Sequence, residues 1–116
     1  MEKTNAITVL SALAHETRLE IFRFLIQEGI EGSPAGRIAA RLSLPATTLS
    51  FHLNALKQAR LVTSRRQSRS IIYTADFKTM NNIMAYLIDN CCHGTAEETC
   101  SEPTALEAAR VRKGSG

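Results

Sequence analysis

Apolar residues recur with helical spacing from about Thr4 to Ala59, alternate briefly between Leu61 and Thr74, and return to helical spacing up to Asn90. From about Thr4 to Ala14, Ile7, Leu10, Leu13 and the alanines form a small apolar face, and Thr4 is placed to act as N-cap. His15 to Glu28 predicts a second helix. Leu19, Ile21, Phe22, Phe24, Leu25 and Ile26 cover most of its circumference and leave only Glu20, Arg23 and Gln27 as a polar arc, the pattern of a central core helix. His15, at its start, reads as a local cap or a packing contact. Gly29 ends this helix. After a loop to Gly32, Ser33 as cap and Pro34 as first residue predict a third helix, with Ile38, Ala39 and Leu42 facing inward over Ala35–Leu42.

The stretch from Leu42 to Leu56 organises the rest. Ser43 and Pro45 mark a turn and a helix start. On a wheel turning about 100° per residue, Leu53 and Leu56 fall within about 40° of Leu49, an inward stripe. Thr47, Ser50, Phe51, Asn54 and Gln58 fall on the far side. That outer face carries short hydrogen-bonding groups where a solvated helix usually carries Lys and Glu. Short donors and acceptors suit base edges in the DNA major groove. The third and fourth helices thus predict a helix-turn-helix whose second member, running to about Ala59, offers Thr47, Thr48, Ser50, Phe51 and Asn54 to DNA. His52 falls beside the inward stripe, so a supporting contact or a bond to phosphate is expected of it more than base readout.

Val62 to Arg66 and Ser70 to Thr74 are β-prone runs around Gln67-Ser68-Arg69, and they predict a two-stranded hairpin. Arg65, Arg66 and Arg69 lie at or near its tip, directly after the DNA-reading helix. Such a wing reaches a phosphate or the minor groove while the helix takes the major groove. Asp76 to Asn90 predicts a fifth helix capped by Asp76, with Phe77, Met80, Ile83, Met84, Leu87 and Ile88 as an amphipathic stripe. A domain this small has little core left for another long stripe, so the helix is expected to pack against its copy in a second subunit. The expected organisation is mainly α with a small β-hairpin: a winged helix-turn-helix domain over residues 1–90, and a cysteine-containing tail over 91–116 in which Thr104 to Lys113 forms a marginal Ala-rich helix.

Composition narrows the setting. The 116 residues amount to one domain, and 44% hydrophobic content supports one modest core. There is no basic stretch leading into an apolar run at the start, and no apolar run long enough to span a membrane, so a cytoplasmic protein is expected. The formal net charge is only +3, but no Asp or Glu occurs between Glu31 and Asp76. Arg37, Arg41, Lys57, Arg60, Arg65, Arg66 and Arg69 give that window +7, while the remainder, with 7 basic and 11 acidic residues, carries −4. A basic middle coinciding with the helix-turn-helix points to a polyanionic partner.

Two segments resemble the ArsR/SmtB family of winged-helix repressors that sense arsenic or metals: Leu13-Ala14-His15-Glu16-Thr17-Arg18-Leu19-Glu20-Ile21, and Leu49-Ser50-Phe51-His52-Leu53-Asn54-Ala55-Leu56-Lys57-Gln58-Ala59-Arg60-Leu61-Val62. The resemblance covers roughly residues 5 to 90. It implies a dimer joined through the first and last helices, and a repressor that leaves double-stranded operator DNA when its inducer binds. One arsenic site of the family places cysteines in the third helix, and Ser33 to Leu42 has none. One zinc site uses an Asp-x-His pair at the start of the last helix, whereas Asp76 is followed by Phe77 and Lys78.

Cys91, Cys92 and Cys100 remain as the only thiols. If the fifth helix reaches residue 92, Cys91 lies on its apolar stripe and Cys92 at the edge, and Gly94 frees the chain to bring Cys100 back. Three thiolates suit a soft ion. As(III) takes three sulfur ligands in a pyramid, while Zn(II) wants a fourth ligand, for which His93 is the neighbour. The expected function is a repressor of an arsenic-resistance operon with As(III) as inducer, Lys57, Arg65, Arg66 and Arg69 meeting phosphates or the minor groove. Sb(III), methylated As(III), Zn(II), Cd(II) and thiol oxidation through a disulfide to Cys100 remain as alternative signals. A small thiol redox enzyme is the reading from another class. Against it, no Cys-x-x-Cys sits in a βαβ pattern and no general base stands beside a nucleophile, so a non-enzyme is expected.

Overall fold

Ile21 and Leu25, Ile38, and Leu49, Leu53 and Leu56 are almost completely withdrawn from solvent and belong to one apolar cluster. Burying each such side chain contributes about 1.5–3 kcal/mol, so the three helices that carry them hold the centre of the molecule. The computed structural model describes residues 1–89, of which Met1–Tyr86 form one compact unit.

The first helix, α1 (Lys3–Leu13), lays Ala6, Val9 and Ala12 on this centre. Thr4 is not its cap. The extended backbone before the helix belongs to Glu2, no side chain caps it, and Thr4 sits inside the first turn, where its carbonyl accepts the Thr8 hydroxyl at 3.1 Å. α2 (Glu16–Glu28) is capped by His15, whose Nδ1 accepts the Thr17 N–H at 3.2 Å. It buries Ile21, Phe22, Phe24 and Leu25, and Leu19 stays exposed. A 3-10 turn follows over Gly29–Glu31.

The next segment departs from expectation. Ser33 and Pro34 form a short strand, β1, in place of a helix cap and first helical residue. Ser33 is buried opposite Tyr73, and its hydroxyl donates to the Pro34 carbonyl at 3.3 Å instead of accepting a helix N–H. Pro34, opposite Ile72, takes the cap position of α3 (Ala35–Leu42). Proline is tolerated there because an edge residue has no ladder N–H to lose. Gly32 makes the approach possible. Its φ is 72°, and a Cβ on it would collide with the Tyr73 carbonyl oxygen and the Thr74 hydroxyl.

α4 (Ala46–Gln58) leads into β2 (Val62–Gln67) and β3 (Ser70–Ala75), which pair antiparallel with Gln67 facing Ser70. β1 adds to the other side of β3, so the sheet has three strands in the order β1-β3-β2 where two were expected. Of the two residues at the tip only Ser68 has positive φ, 57°, the signature of a type II′ turn. The Asp76 N–H donates to the Leu61 carbonyl at 2.8 Å, which closes the hairpin base and delivers α5 (Phe77–Ile88) to the core. Asp76 caps α5, its Oδ1 accepting the Thr79 N–H at 3.1 Å. Ile83 is buried, and Phe77, Met80 and Met84 are half-buried on the same cluster. Four of the six residues of the α5 stripe are therefore used within the chain, because the closed hairpin base sets it there, and the stripe is not left wholly for a second subunit.

The architecture is the expected mainly helical winged helix-turn-helix. Among the described residues no helix is long and apolar enough to cross a membrane. The expected tail over 91–116, including the marginal helix at 104–113, lies outside the described residues.

Candidate nucleic-acid interface

Local chain geometry fixes α4 at both ends. Ser43 turns left-handed (φ 54°, ψ 49°) at the end of α3, the Leu44 N–H returns to the Ala39 carbonyl at 3.0 Å, and Pro45 is extended at the start of α4. At the far end Arg60 is left-handed, φ 64°. Its N–H donates to Lys57 O and the Leu61 N–H to Leu56 O, both at 2.9 Å. This is the Schellman arrangement, and Leu56 and Leu61, both buried, supply its usual apolar contact.

With the ends held, the faces of α4 are set. Leu49, Leu53 and Leu56 point inward; Thr47, Ser50, Asn54, Lys57 and Gln58 are exposed, and Thr48 is half-buried at the flank. Phe51 stands among the exposed group with 63% of its surface in water. It adds a large apolar group to a face otherwise made of short polar side chains, so that face offers both kinds of contact.

His52 is not part of that surface. It is only 6% exposed, and its Nδ1 accepts the Arg18 Nε–H at 3.1 Å. Its ring lies 4.7 Å from that of His15 and 5.3 Å, edge-on, from Phe51. Of the two roles expected for it, the geometry matches the supporting contact. Burial pushes its pKa below the usual 6.5, with the neighbouring His15 and Arg18 acting in the same direction. An Nδ1 that accepts a hydrogen bond carries no proton, so the ring is neutral with its hydrogen on Nε2. Arg18 itself lies with Cζ 5.6 Å from the Phe51 ring centre.

The wing arginines divide. Arg65 donates to the Thr74 hydroxyl at 3.1 Å and to the Glu31 carbonyl at 2.9 Å, so it ties the sheet together. The side chains of Arg66 and Arg69 are exposed and, with that of Lys57, have no hydrogen-bond or ion-pair partner among the described residues. Elsewhere in the basic window, Arg37 pairs with Glu28 at 3.2 Å and Arg41 covers Phe24, Cζ at 5.5 Å. Within the basic window the side-chain cations with no partner among the described residues are Lys57, Arg60, Arg66 and Arg69, at the end of α4 and on the hairpin.

No group of three or more His, Cys, Asp or Glu among the described residues is placed to hold a metal ion. Asp76 uses its carboxylate as a helix cap. The candidate ligands Cys91, Cys92 and Cys100 lie outside the described residues. Arg18 is the residue that periodicity overlooks, since it belongs to α2 and acts on a partner 34 positions away. Its only sequence signal is its place in the first of the two family-like segments.

A helix locked at both ends, with an uncharged polar face beside a basic hairpin, is the apparatus of a winged helix-turn-helix DNA-binding domain. Residues 13–65 match the family described as helix-turn-helix domain. The chain is 34% identical over 76 residues to the transcriptional activator HlyU of Vibrio cholerae, a match covering 64% of this chain and 68% of that protein. Among solved structures it is similar to an ArsR-like transcriptional regulator from Rhodococcus sp. RHA1, with TM-score 0.67 and 28% identity over 84% of this chain and 89% of the other. It is also similar to the homodimeric winged helix-turn-helix DNA-binding domain Mb0332 of Mycobacterium bovis, a possible ArsR-family regulator, with TM-score 0.62 and 28% identity over 73% and 77% of the two chains. The chain belongs to the ArsR-type helix-turn-helix transcriptional regulators.

Proposed function

We propose that the protein is a homodimeric repressor of an arsenic-resistance operon, holding its operator through α4 and the wing and leaving it when As(III) binds Cys91, Cys92 and Cys100. The observation that carries the DNA half is the exposed stripe Thr47, Ser50, Phe51 and Asn54 beside Lys57, Arg66 and Arg69. Short polar groups meet base edges, Phe51 meets an apolar edge such as the thymine methyl, and the cations meet phosphates. Arg65 serves by aligning the wing, and His52 by supporting α4.

Dimerisation through the first and last helices is supported by α1, which leaves Ile7 57% and Leu10 42% exposed on the face away from the core. The homodimeric state of Mb0332 points the same way. Two α4 helices then sit about 34 Å apart on an inverted repeat, one turn of DNA. As a DNA-bound regulator the protein works in the cytoplasm.

The inducer half rests on the thiols, the chain's only three. Their number matches the three-sulfur pyramid of As(III), and soft ligands select soft ions. Binding changes the dimer interface, and the ligand favours the form whose recognition helices no longer match the groove spacing.

The test is a titration of the protein–operator complex with As(III), Sb(III), Zn(II), Cd(II) and peroxide, following release. Release is expected with As(III), and Cys91→Ser or Cys92→Ser is expected to keep DNA binding while losing that release. Variants that still leave DNA at the wild-type arsenite concentration overturn the thiol site, and stronger release by Zn(II), Cd(II) or peroxide overturns As(III) as the signal.

A further inference from the structure

We propose that Arg18 of α2 is a positioning residue for DNA reading, a brace behind α4 that holds Phe51 and His52 in place only while His52 is neutral. The inference rests on α4 being the helix that meets DNA. Arg18 is half-buried and touches two consecutive residues of α4 in different ways. Its Nε–H donates to His52 Nδ1 at 3.1 Å, and its guanidinium carbon lies 5.6 Å from the Phe51 ring centre. The first contact fixes the rotation of α4 from the inside. The second steadies the ring that stands out on the contact face.

The groups facing His52 are His15, before α2, and Arg18, on α2. Neither offers an anion, and none of the three forms a salt bridge among the described residues. A proton arriving at Nδ1 therefore removes the acceptor and sets an imidazolium against a guanidinium and a second imidazole, with nothing to compensate. The sign is opposite to that of ordinary DNA electrostatics, where added positive charge at low pH tightens binding.

The experiment uses the full chain and a duplex that it selects from a random-sequence pool at pH 7.5. Wild-type affinity is expected to fall severalfold between pH 7.5 and 5.5, short of the roughly tenfold worth of one hydrogen bond and one cation–π contact because the His52 pKa lies below 6.5. His52→Asn keeps an acceptor for Arg18 but does not titrate, so its affinity should lose the acid-side fall seen in the wild type. Arg18→Ala should bind about tenfold more weakly at pH 7.5, with an unchanged circular-dichroism spectrum. In the DNA-free protein, NMR titration should show the His52 pKa rising towards 6.5 in Arg18→Ala. Wild-type affinity that is constant or tighter at pH 5.5, a His52→Asn affinity that still falls in acid as the wild type does, or a His52 titration indifferent to Arg18 would each overturn the brace. If no duplex is selected, the DNA-reading assignment fails and the brace loses its purpose, while the NMR titration still reports whether the Arg18–His52 contact exists.

Discussion

Arg65 donates to the main-chain carbonyl oxygen of Glu31 at 2.9 Å, 34 residues back in the chain. β3 lies between β2 and that turn, so a single side chain crosses the sheet and pins the wing to the end of α2. Arg65 and its exposed neighbours should therefore respond differently to truncation. Arg65→Ala is expected to lower stability by about 1–2 kcal/mol through two lost hydrogen bonds. Arg66→Ala and Arg69→Ala should leave the melting temperature unchanged, weaken binding to all duplex sequences, and each reduce the log–log salt slope by about 1. Thermal unfolding together with affinities at several salt concentrations separates the two effects.

Phe51 and Leu53 are two positions apart on α4 and face opposite ways. Phe51→Ala removes a ring that is 63% exposed, so stability should stay within about 0.5 kcal/mol while DNA binding loses about 1–2 kcal/mol. Leu53→Ala opens a cavity in the core and should cost about 2–5 kcal/mol of stability. Chemical denaturation and operator affinity, measured on both variants, check the assignment of the two faces.

That division of α4 was legible in the sequence because helical periodicity is a local property: Leu49, Leu53 and Leu56 fall where the wheel puts them. The hairpin and α5 were legible for the same reason. Three features were not, and each depends on a partner distant in the chain. Ser33-Pro34 has the local chemistry of a helix cap, and becomes a strand because Gly32 lets it approach Ile72 and Tyr73. Arg65 looks like one more wing cation until Glu31 and Thr74 are placed beside it. Arg18 gains its role from His52, which no pattern within α2 announces.

Gly32 gives a sharp test of the sheet. Alanine at φ 72° is strained, and its Cβ would strike the Tyr73 carbonyl and the Thr74 hydroxyl, so Gly32→Ala should destabilise by about 2 kcal/mol or more. For a domain of this size each kcal/mol lowers the melting temperature by about 4–8 °C, a drop readily seen by calorimetry.

His52 should make stability depend on pH in a defined direction. Its folded pKa lies below its unfolded value of 6.5, so between the two the unfolded chain binds more protons. The His52 contribution is full above pH 6.5 and is lost as pH falls through the folded pKa. Urea denaturation from pH 8 to 5 should show this decline in the wild type and a smaller one in His52→Asn. Equal slopes in the two proteins would sink the linkage.

The short pairing of β1 on β3 has a consequence for how the protein measures its target. It ends where Pro34 meets Ile72, so the hairpin beyond that point has β2 alone beside β3. From Ile72 to Arg69 are three residues, which at about 3.3 Å each make a free arm of roughly 10 Å. If the hairpin tip meets DNA as proposed, the clamp acts as a fulcrum and the arm sets how far the protein reaches along a duplex. Adding one residue to each strand would lengthen that reach by about 3.3 Å and leave the core undisturbed, so evolution can recalibrate the grip without rebuilding the domain.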